Sequence, residues 1–376
     1  MRTVLTRFLH LVFIATLSML WLVSEAASAQ PFPDMPVNRW VPIKHRCTGG
    51  LKTYFGGCPS HRGWLQLAYD SKRGKVVLFG GSGEWYFNDL WLFDPITQVW
   101  ELILQDTRLA GVKDDPKHYP TGRDNHQLIY DAEHDVYWLY GGTGNGSFWK
   151  FIPQQKKWVR MPGDHGAGLP MAALDPGFAL APDRGEILLF GGERNSYWDK
   201  TWIFDTRKEI WRRLSTVGSP SPRAQLENAL VYDTKRQQFI LFGGRDNHER
   251  KLSDTWIYSP EQAAWRQINT KSSPSPRDAH IMVFDQKNNG VLMWGDTANA
   301  ETWFFNPDVG QWQEIVAARG GYDASKARLA SAVYMPDADL TVFRDTHGQI
   351  YFFRLDLNQA LDKPAQGPIR WQVPSR

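Results

Sequence analysis

The sequence has almost no excess of charge and very few cysteines. It carries 43 Lys and Arg against 40 Asp and Glu, a formal net charge of +3 over 376 residues. A nucleic-acid partner requires a dense basic stripe, so this balance argues against one. The two cysteines, Cys47 and Cys58, are spaced as C-x10-C, which matches no common metal or redox site. We therefore expect no metal and no cofactor.

Long apolar runs are also scarce, and the one that exists is N-terminal. Residues 8–23 are mostly apolar, follow two arginines and precede Ala27-Ser28-Ala29, which has the form of a signal-peptide cleavage site. The run contains His10 and falls short of the roughly 20 residues that span a membrane. We predict that residues 1–29 are a signal peptide and that the mature chain, starting at Gln30, is secreted or periplasmic without a stable membrane anchor. A retained signal-anchor is the alternative.

Export would place both cysteines in an oxidising compartment. Cys47 and Cys58 flank a glycine-rich segment that lies outside any repeat. We predict a disulfide between them, which would contribute about 3 kcal/mol through loop closure. A metal or redox role for the pair is the alternative.

Aromatic residues and glycine, by contrast, are abundant, with 18 Trp, 20 Phe and 32 Gly. They recur in a unit whose clearest copy covers residues 223–268. Four short runs of β-branched and aromatic residues in this unit are bounded by turn-forming residues, which predicts four antiparallel strands, a to d. Strand b ends at Phe242-Gly243-Gly244, and Trp256 in strand c precedes Trp265 in strand d by nine residues. Such a sheet needs stacked copies of itself to bury both faces.

The expected copies follow one another along the chain. Strand b ends in an aromatic residue and two glycines in four repeats, and in a looser version in two more: Phe79-Gly80-Gly81, Tyr140-Gly141-Gly142, Phe190-Gly191-Gly192, Phe242-Gly243-Gly244, Trp294-Gly295-Asp296 and Phe343-Arg344-Asp345. The nine-residue Trp spacing occurs five times: Trp91 and Trp100, Trp149 and Trp158, Trp202 and Trp211, Trp256 and Trp265, Trp303 and Trp312. The loop before the first Trp varies in length, so the constant spacing indicates a c–d hairpin of fixed size in every repeat.

This pattern resembles the kelch repeat over roughly residues 60–356. The resemblance implies an all-β fold, a six-bladed β-propeller with four antiparallel strands per blade. We expect three regions: a signal peptide (1–29), a closing strand with the disulfide loop (30–59), and the propeller (60–376). Kelch functions include protein binding, sugar oxidation and sugar epimerisation, so the family leaves function open. Neither cysteine lies in a repeat, unlike the copper-site cysteine of galactose oxidase. No motif maps catalytic residues of the periplasmic N-acetylneuraminate epimerase onto this chain.

Closure of the ring is predicted to come from the N-terminal segment. Ile43 follows Trp40 by three residues, the offset at which an aliphatic residue or Met follows the strand-d Trp in the five repeats. The sixth repeat has candidates for strands a to c, but its own candidate strand d, at Trp371, arrives late. We therefore expect the Trp40 strand to complete the last blade. Closure by Trp371, with Trp40 on the outside, is the alternative.

Candidate ligand-binding residues lie in the d–a and b–c loops, which converge on one face of a propeller around the channel mouth. We select eleven: Trp85, Arg123, Glu193, Arg194, Arg223, Arg245, Asp246, His248, Arg277, Asp296 and Arg344. Arginine presents a rigid fork suited to carboxylates, so an anionic ligand is expected. In the structural alternative, an Arg that opens strand a pairs with an acid of the neighbouring blade. An exposed Trp85 could stack on a sugar ring.

Two repeats share a longer match that ends in histidine, at His126 and His280. They belong to opposite blades of a six-bladed ring, too far apart for one metal ion, whose imidazole ligands must lie within about 4 Å of each other. We expect structural histidines, each satisfied within its own blade.

Two functions remain open. The first is an exported module that binds a glycan or protein ligand on the loop face. The second is a sugar-modifying enzyme of the epimerase or mutarotase type acting on an acidic sugar. Glu193, Asp246 and Asp296 are its acid–base candidates by position, and recessed carboxylates with raised pKa values would favour it.

The intact mass of the exported protein tests processing and oxidation together. The mature chain is expected to begin at Gln30 and to gain about two hydrogens on reduction. Retention of residues 8–23, or two thiols that alkylate without reductant, would contradict this prediction.

Overall fold

A computed structural model describes residues 31–48, 58–111, 117–143, 147–162, 170, 173–193, 199–214, 221–223, 225–296, 300–319, 321–327 and 330–359. The predicted signal peptide, Arg194 and Trp371 lie outside these ranges. Within them, no helix is long and apolar enough to cross a membrane.

Six antiparallel sheets form the blades of a propeller. Blade 1 contains β3 (Gln66–Asp70), β4 (Lys75–Phe79), β5 (Leu90–Asp94) and β6 (Val99–Leu104). Blade 2 contains β7 (His126–Asp131), β8 (Val136–Gly141), β9 (Phe148–Ile152) and β10 (Lys157–Arg160). Blade 3 contains β11 (Gly177–Ala181), β12 (Glu186–Phe190), β13 (Thr201–Asp205) and β14 (Ile210–Arg213).

The remaining three blades repeat the arrangement. Blade 4 contains β16 (Ala229–Asp233), β17 (Gln238–Phe242), β19 (Thr255–Ser259) and β20 (Ala264–Ile268), beside a short pair, β15 (Gln225–Leu226) and β18 (Arg245–Asp246). Blade 5 contains β21 (Ile281–Asp285), β22 (Gly290–Trp294), β23 (Thr302–Asn306) and β24 (Gln311–Glu314). Blade 6 contains β25 (Ser331–Met335), β26 (Leu340–Arg344), β27 (Ile350–Phe353) and β1 (Val41–Ile43). The short helices are Pro153–Gln155, Val316–Ala318, Ala324–Ala327 and Pro336–Ala338.

The N-terminal strand closes the ring. β1 pairs antiparallel with β27, with Val41 opposite Phe352. Trp40 precedes β1 and is fully buried, its ring centroid 4.7 Å from that of Trp294 and 4.6 Å from that of Phe353. The prediction that the Trp40 strand completes the last blade is confirmed.

Trp40 makes the same hydrogen bond between blades as the strand-d tryptophans do. Its indole nitrogen donates to the hydroxyl of Thr302, which opens strand c of the preceding blade, at 3.1 Å. Trp265 and Trp312 make the equivalent bond at 2.9 and 3.0 Å. Each indole therefore buries its apolar area and satisfies its one donor at the blade junction.

From blade 6 the chain crosses to the outside of blade 1. There β2 (Arg46–Thr48) pairs in parallel with β6 and gives blade 1 a fifth strand. The predicted disulfide is present, with the Cα atoms of Cys47 and Cys58 5.3 Å apart. It ties the added strand to the segment that enters blade 1.

Opposite the loop face, a polar contact links each blade to the next. Burial keeps the strands apolar, so these contacts lie at the a–b and c–d turns. They join six pairs: Arg73 and Asp135, Arg207 and Glu133, Tyr232 and Asp183, Arg236 and Asp308, Lys287 and Asp339, Tyr69 and Asp337. The polar side chains on this face therefore stabilise the contacts between blades.

Replacing Trp40 with alanine is expected to lower the free energy of unfolding by about 3–5 kcal/mol, because the cavity would open between two blades. Trp371→Ala serves as the matched control and is expected to cost much less. Urea denaturation of both variants measures the difference. An equal or larger loss from Trp371→Ala would contradict closure by the N-terminal strand.

Candidate functional site

The arginine that opens strand a binds the backbone of its own blade. Arg123 and Arg277 are 0% exposed, so a ligand on the surface has no access to either guanidinium. One nitrogen donates to the carbonyl oxygen of a glycine at the end of strand b. The bond recurs in three blades, at 3.1, 2.9 and 3.4 Å: Arg62 to Gly80, Arg123 to Gly141 and Arg277 to Gly295. Arg123 and Arg277 are structural, contrary to the expectation that they bind ligand.

An acid at the start of strand c joins this arginine to the strand-c tryptophan. Asp89 accepts from Arg62 and, at 2.8 Å, from the indole nitrogen of Trp91. In blade 5, Glu301 accepts from Arg277 at 3.2 Å and also from the strand-c indole. The acid therefore lies in the same blade, and not in the neighbouring blade as the structural alternative had it.

Arg344 joins the last blade to the first. It is 1% exposed and donates to the carbonyl oxygens of Pro59 and Ser60, at 3.3 and 2.8 Å. Like Arg123 and Arg277, it is too deeply buried to contact a ligand on the surface.

The charge of Arg245 is compensated by three carboxylates. Its nitrogens lie 3.0 Å from Glu227, 2.8 Å from Glu249 and 3.0 Å from Asp278. Arg223 is half-exposed, and it lies 3.1 Å from Asp254. The positive potential expected at the channel mouth is therefore neutralised locally.

The three acid–base candidates are tied to loop structure. Asp246 is 1% exposed and accepts the backbone N–H groups of His248 and Arg250. Burial alone would raise its pKa, but the hydrogen bonds from the Arg250 side chain and from the backbone lower the pKa of Asp246 to about 2. Such a group remains a carboxylate at neutral pH and cannot act as a general acid there.

The remaining candidates, Asp296, Glu193 and His248, lie after strand b in three different blades. Asp296 lies 2.5 Å from the Lys251 ammonium and accepts the backbone N–H of Asp278. Glu193 exchanges backbone hydrogen bonds with Leu174. His248 is exposed on the b–c loop of blade 4.

His126 and His280 are buried between blades. Each ring meets a phenylalanine of the preceding blade edge-on: His126 meets Phe79 at 5.5 Å and His280 meets Phe242 at 5.6 Å. Burial, with a contribution from the adjacent guanidinium, lowers the pKa of each to about 3, so both stay neutral. The expectation that each is satisfied within its own blade was wrong. The described residues contain no group of three His, Cys, Asp or Glu side chains that could hold a metal ion.

This histidine packing explains the first glycine of the repeat. Gly80 has a φ of +64°, and a Cβ built there would lie 2.9 Å from the His126 ring and 2.8 Å from the Arg123 carbonyl oxygen. Gly243 has the same relation to His280 and Arg277. A side chain at either position would separate two blades.

The channel itself is nearly closed on the loop face. One residue at the start of strand a adopts a left-handed conformation in five blades: Trp64, Asn125, Asp175, Glu227 and Ala279. The backbone N–H of each of the last four donates to the carbonyl oxygen of the one before it, at 3.0 to 3.2 Å. The adjoining space is about 60 Å³, too small for a sugar ring. We therefore expect a sugar-sized ligand on this face to bind away from the axis.

A larger cavity, of about 670 Å³, lies at the junction of blades 6 and 1. Its wall combines residues of the crossing segment with b–c loop residues of both blades and a few neighbours: His45, Cys58, Pro59, Ser60, His61, Glu84, Phe87, Lys326, Asp345, His347, Gly348, Gln349 and Tyr351. We call this space the junction cavity. His61, Glu84 and His347 were not among the eleven candidates selected from the sequence.

Imidazoles and aromatic rings define the chemistry of the junction cavity. The rings of His61 and His347 are exposed, with centroids 5.3 Å apart. Burial and the nearby Arg344 lower the pKa of His45. Tyr351 is 8% exposed, and burial raises its pKa to about 12, so its phenol stays neutral.

The charged groups of the junction cavity are largely engaged. Asp345 is 2% exposed and accepts the backbone N–H groups of His347 and Gln349, both at 2.9 Å. The Lys326 ammonium lies 2.9 Å from Asp323. The lining has two carboxylates, Glu84 and Asp345, against one ammonium, Lys326, so the cavity has no strong preference for an anion.

Comparison with known proteins is consistent with these blade contacts. The model of the KLHDC2/KLHL20/DRC7 Kelch-repeats domain matches residues 146–343, and a Kelch motif matches residues 63–103. The chain is a kelch-repeat β-propeller. Proteins of this family are typically binding scaffolds.

Curated relatives match part of this chain. Mei4-dependent protein 6 of Schizosaccharomyces pombe is 24% identical over 204 residues, 48% of this chain and 27% of that protein. Host cell factor homolog hcf-1 of Caenorhabditis elegans is 23% identical over 243 residues, 57% of this chain and 29% of that protein. Adagio-like protein 3 of Oryza sativa is 24% identical over 186 residues, 45% of this chain and 28% of that protein. The matches span less than a third of the length of each relative.

Trp85 lies in the b–c loop of blade 1 as expected, but it is not the exposed aromatic residue of that loop. It is half-buried, and its ring centroid lies 5.2 Å from that of Phe87. The neighbouring Tyr86 is the exposed aromatic, at 44%. Alternation along an irregular loop does not follow the two-residue period of a strand, so which of the two aromatic residues is exposed could not be predicted.

Arg277→Ala should destabilise the kelch fold. The variant removes hydrogen bonds to Ser275, Gly295 and Glu301, and the lost buried contacts are expected to cost about 2–3 kcal/mol. Arg223→Ala is the matched control, since its exposed ion pair is worth about 1 kcal/mol or less. Guanidinium denaturation compares them, and equal losses would refute the structural role of Arg277.

Proposed function

We propose that this kelch propeller is an exported binding module that holds a glycan in the junction cavity. The observation that carries the proposal is the cavity itself. Its volume of about 670 Å³ falls in the range of roughly 300–1,000 Å³ typical of small-molecule sites. It combines exposed imidazoles with Phe87 and Tyr351, so polar groups and apolar rings meet around one space.

The side chains favour hydroxyl recognition over carboxylate recognition. Imidazole, amide and phenol groups donate and accept hydrogen bonds, as sugar hydroxyls do, and aromatic rings suit the apolar face of a sugar. The arginines that suggested an anionic ligand are buried or paired, as shown for Arg277 and Arg245. We therefore expect neutral sugars to bind as well as acidic ones.

Export is supported by the sequence of residues 1–29 and by the disulfide. A Cys47–Cys58 bond persists in secreted and periplasmic proteins, where thiols are not kept reduced. A protein ligand is the second candidate, because kelch propellers are typically binding scaffolds. The enzyme alternative has less support, since Glu193, Asp246 and Asp296 do not line the junction cavity.

Titration calorimetry of the full chain against neutral and acidic sugars tests glycan binding. His61→Ala and His347→Ala are each expected to weaken binding about tenfold, because each removes one hydrogen-bonding group from the cavity. Gln262→Ala, exposed on the c–d turn of blade 4, is the control and should bind like the parent. Melting curves confirm that the variants are folded.

Two results would contradict the proposal. One is the absence of binding by any sugar in the panel. The other is unchanged affinity in both histidine variants, which would place the ligand elsewhere on the propeller. Capture of a protein by the loop face, lost in the same two variants, would replace the glycan with a protein ligand.

A further inference from the structure

Two exposed tyrosines lie in loops of the loop face, and one of them, Tyr86, is adjacent in the chain to residues that line the junction cavity. Tyr86 is 44% exposed and Tyr119 is 40% exposed, in a part of the molecule where most aromatic rings are buried. The other large hydrophobic side chains exposed among the described residues are on the outer strand or turns: Ile210, Val309 and Leu357. Among the described residues, Tyr86 and Tyr119 are thus the exposed Phe, Tyr or Trp side chains.

Tyr86 is continuous with the wall of the junction cavity. It lies on the b–c loop of blade 1 between Glu84 and Phe87, and both of these residues line the cavity. The loop is held in place: the backbone N–H of Phe87 donates to the carbonyl oxygen of Gly81 at 2.9 Å, and Tyr86 forms an isolated β-bridge with Ser82. The position of Tyr86 relative to the cavity is thus fixed by backbone contacts.

Tyr119 is carried by a segment that is bound to this loop. The Asn88 amide nitrogen donates to the carbonyl oxygen of Pro120 at 3.0 Å. The backbone N–H of Arg123 donates to the carbonyl oxygen of Phe87, also at 3.0 Å. Between them Gly122 passes so close that a Cβ there would lie 2.1 Å from the Tyr86 carbonyl oxygen. The two tyrosines therefore stand on adjoining, hydrogen-bonded segments.

The phenol hydroxyl and the ring of both Tyr86 and Tyr119 are available to contact a ligand. Neither phenol has a hydrogen-bond partner among the described residues, and each ring exposes apolar area to water. A tyrosine loses little conformational entropy on binding, because it has only two side-chain torsions. Its ring can stack on the apolar face of a sugar while the hydroxyl bonds to the sugar or to water.

We propose that Tyr86 and Tyr119 form a second subsite that binds the continuation of a glycan whose first residue occupies the junction cavity. This inference rests on the proposed function and names its substrate class, an oligosaccharide in preference to a monosaccharide. The end of the oligosaccharide occupies the junction cavity. Its following sugar residues extend past Glu84 to Tyr86 and then to Tyr119. Affinity should therefore rise with chain length.

Titration of the full chain with two homologous series tests the subsite. The probes are β-1,4-linked glucose and β-1,4-linked N-acetylglucosamine, each from one to six residues long. In the series that binds, affinity is expected to increase about tenfold or more from the monosaccharide to the longer oligomers. Tyr86→Ala and Tyr119→Ala should each remove several-fold of this gain and leave monosaccharide affinity within about twofold.

Ile210→Ala supplies the matched control. Ile210 is 55% exposed on β14, the outer strand of blade 3, and its substitution should change neither affinity. Monosaccharide binding without any gain in longer oligomers overturns the subsite and leaves the proposed function standing. The same holds if the tyrosine variants lose monosaccharide and oligomer affinity equally. Absence of binding by both series overturns the subsite together with the proposed function.

Discussion

The pairing of β1 with β27 is the contact on which the rest of the molecule depends. Six sheets cannot bury all their faces until the last one meets the first, and this pairing joins the two ends of the described chain. Closure also places Trp40 against Trp294 and Phe353, so the final interface has the same aromatic packing as the others. From there the chain must cross to blade 1, and this crossing supplies part of the wall of the junction cavity.

Within each blade, charge is used for structure more than for recognition. Arg62 donates to the Gly80 carbonyl oxygen and to Asp89. Asp89 also accepts from the Trp91 indole, so one acid orients both the Arg62 and the Trp91 side chains. A buried guanidinium needs such partners to offset its lost hydration. Counting arginines in loops therefore overestimates the positive charge that a ligand would meet.

The repeat spacing was enough to predict the blades and the strand-d role of Trp40, because these depend on order along the chain. The disulfide was predicted from the expected export and from the isolated pair of cysteines. The roles of Arg123 and His126 depend on which way a loop side chain points and on what the preceding blade places beside it. The left-handed conformations of Trp64 and Glu227 carry no compositional signal, since neither residue is one that prefers them. Because these loop conformations could not be predicted from the sequence, the narrow channel and the off-axis cavity could not be predicted either.

The junction of blades 6 and 1 is where the repeat constrains the sequence least. In blades 1 to 4 two glycines end strand b, and they admit the histidine or backbone of the next blade, as Gly80 does for His126. In blade 6 this place is taken by Arg344 and Asp345, and Arg344 instead grips the carbonyl oxygens of Pro59 and Ser60. The residues around that contact need not repeat those of any other junction. A recess with its own set of imidazoles can arise there without weakening five equivalent interfaces.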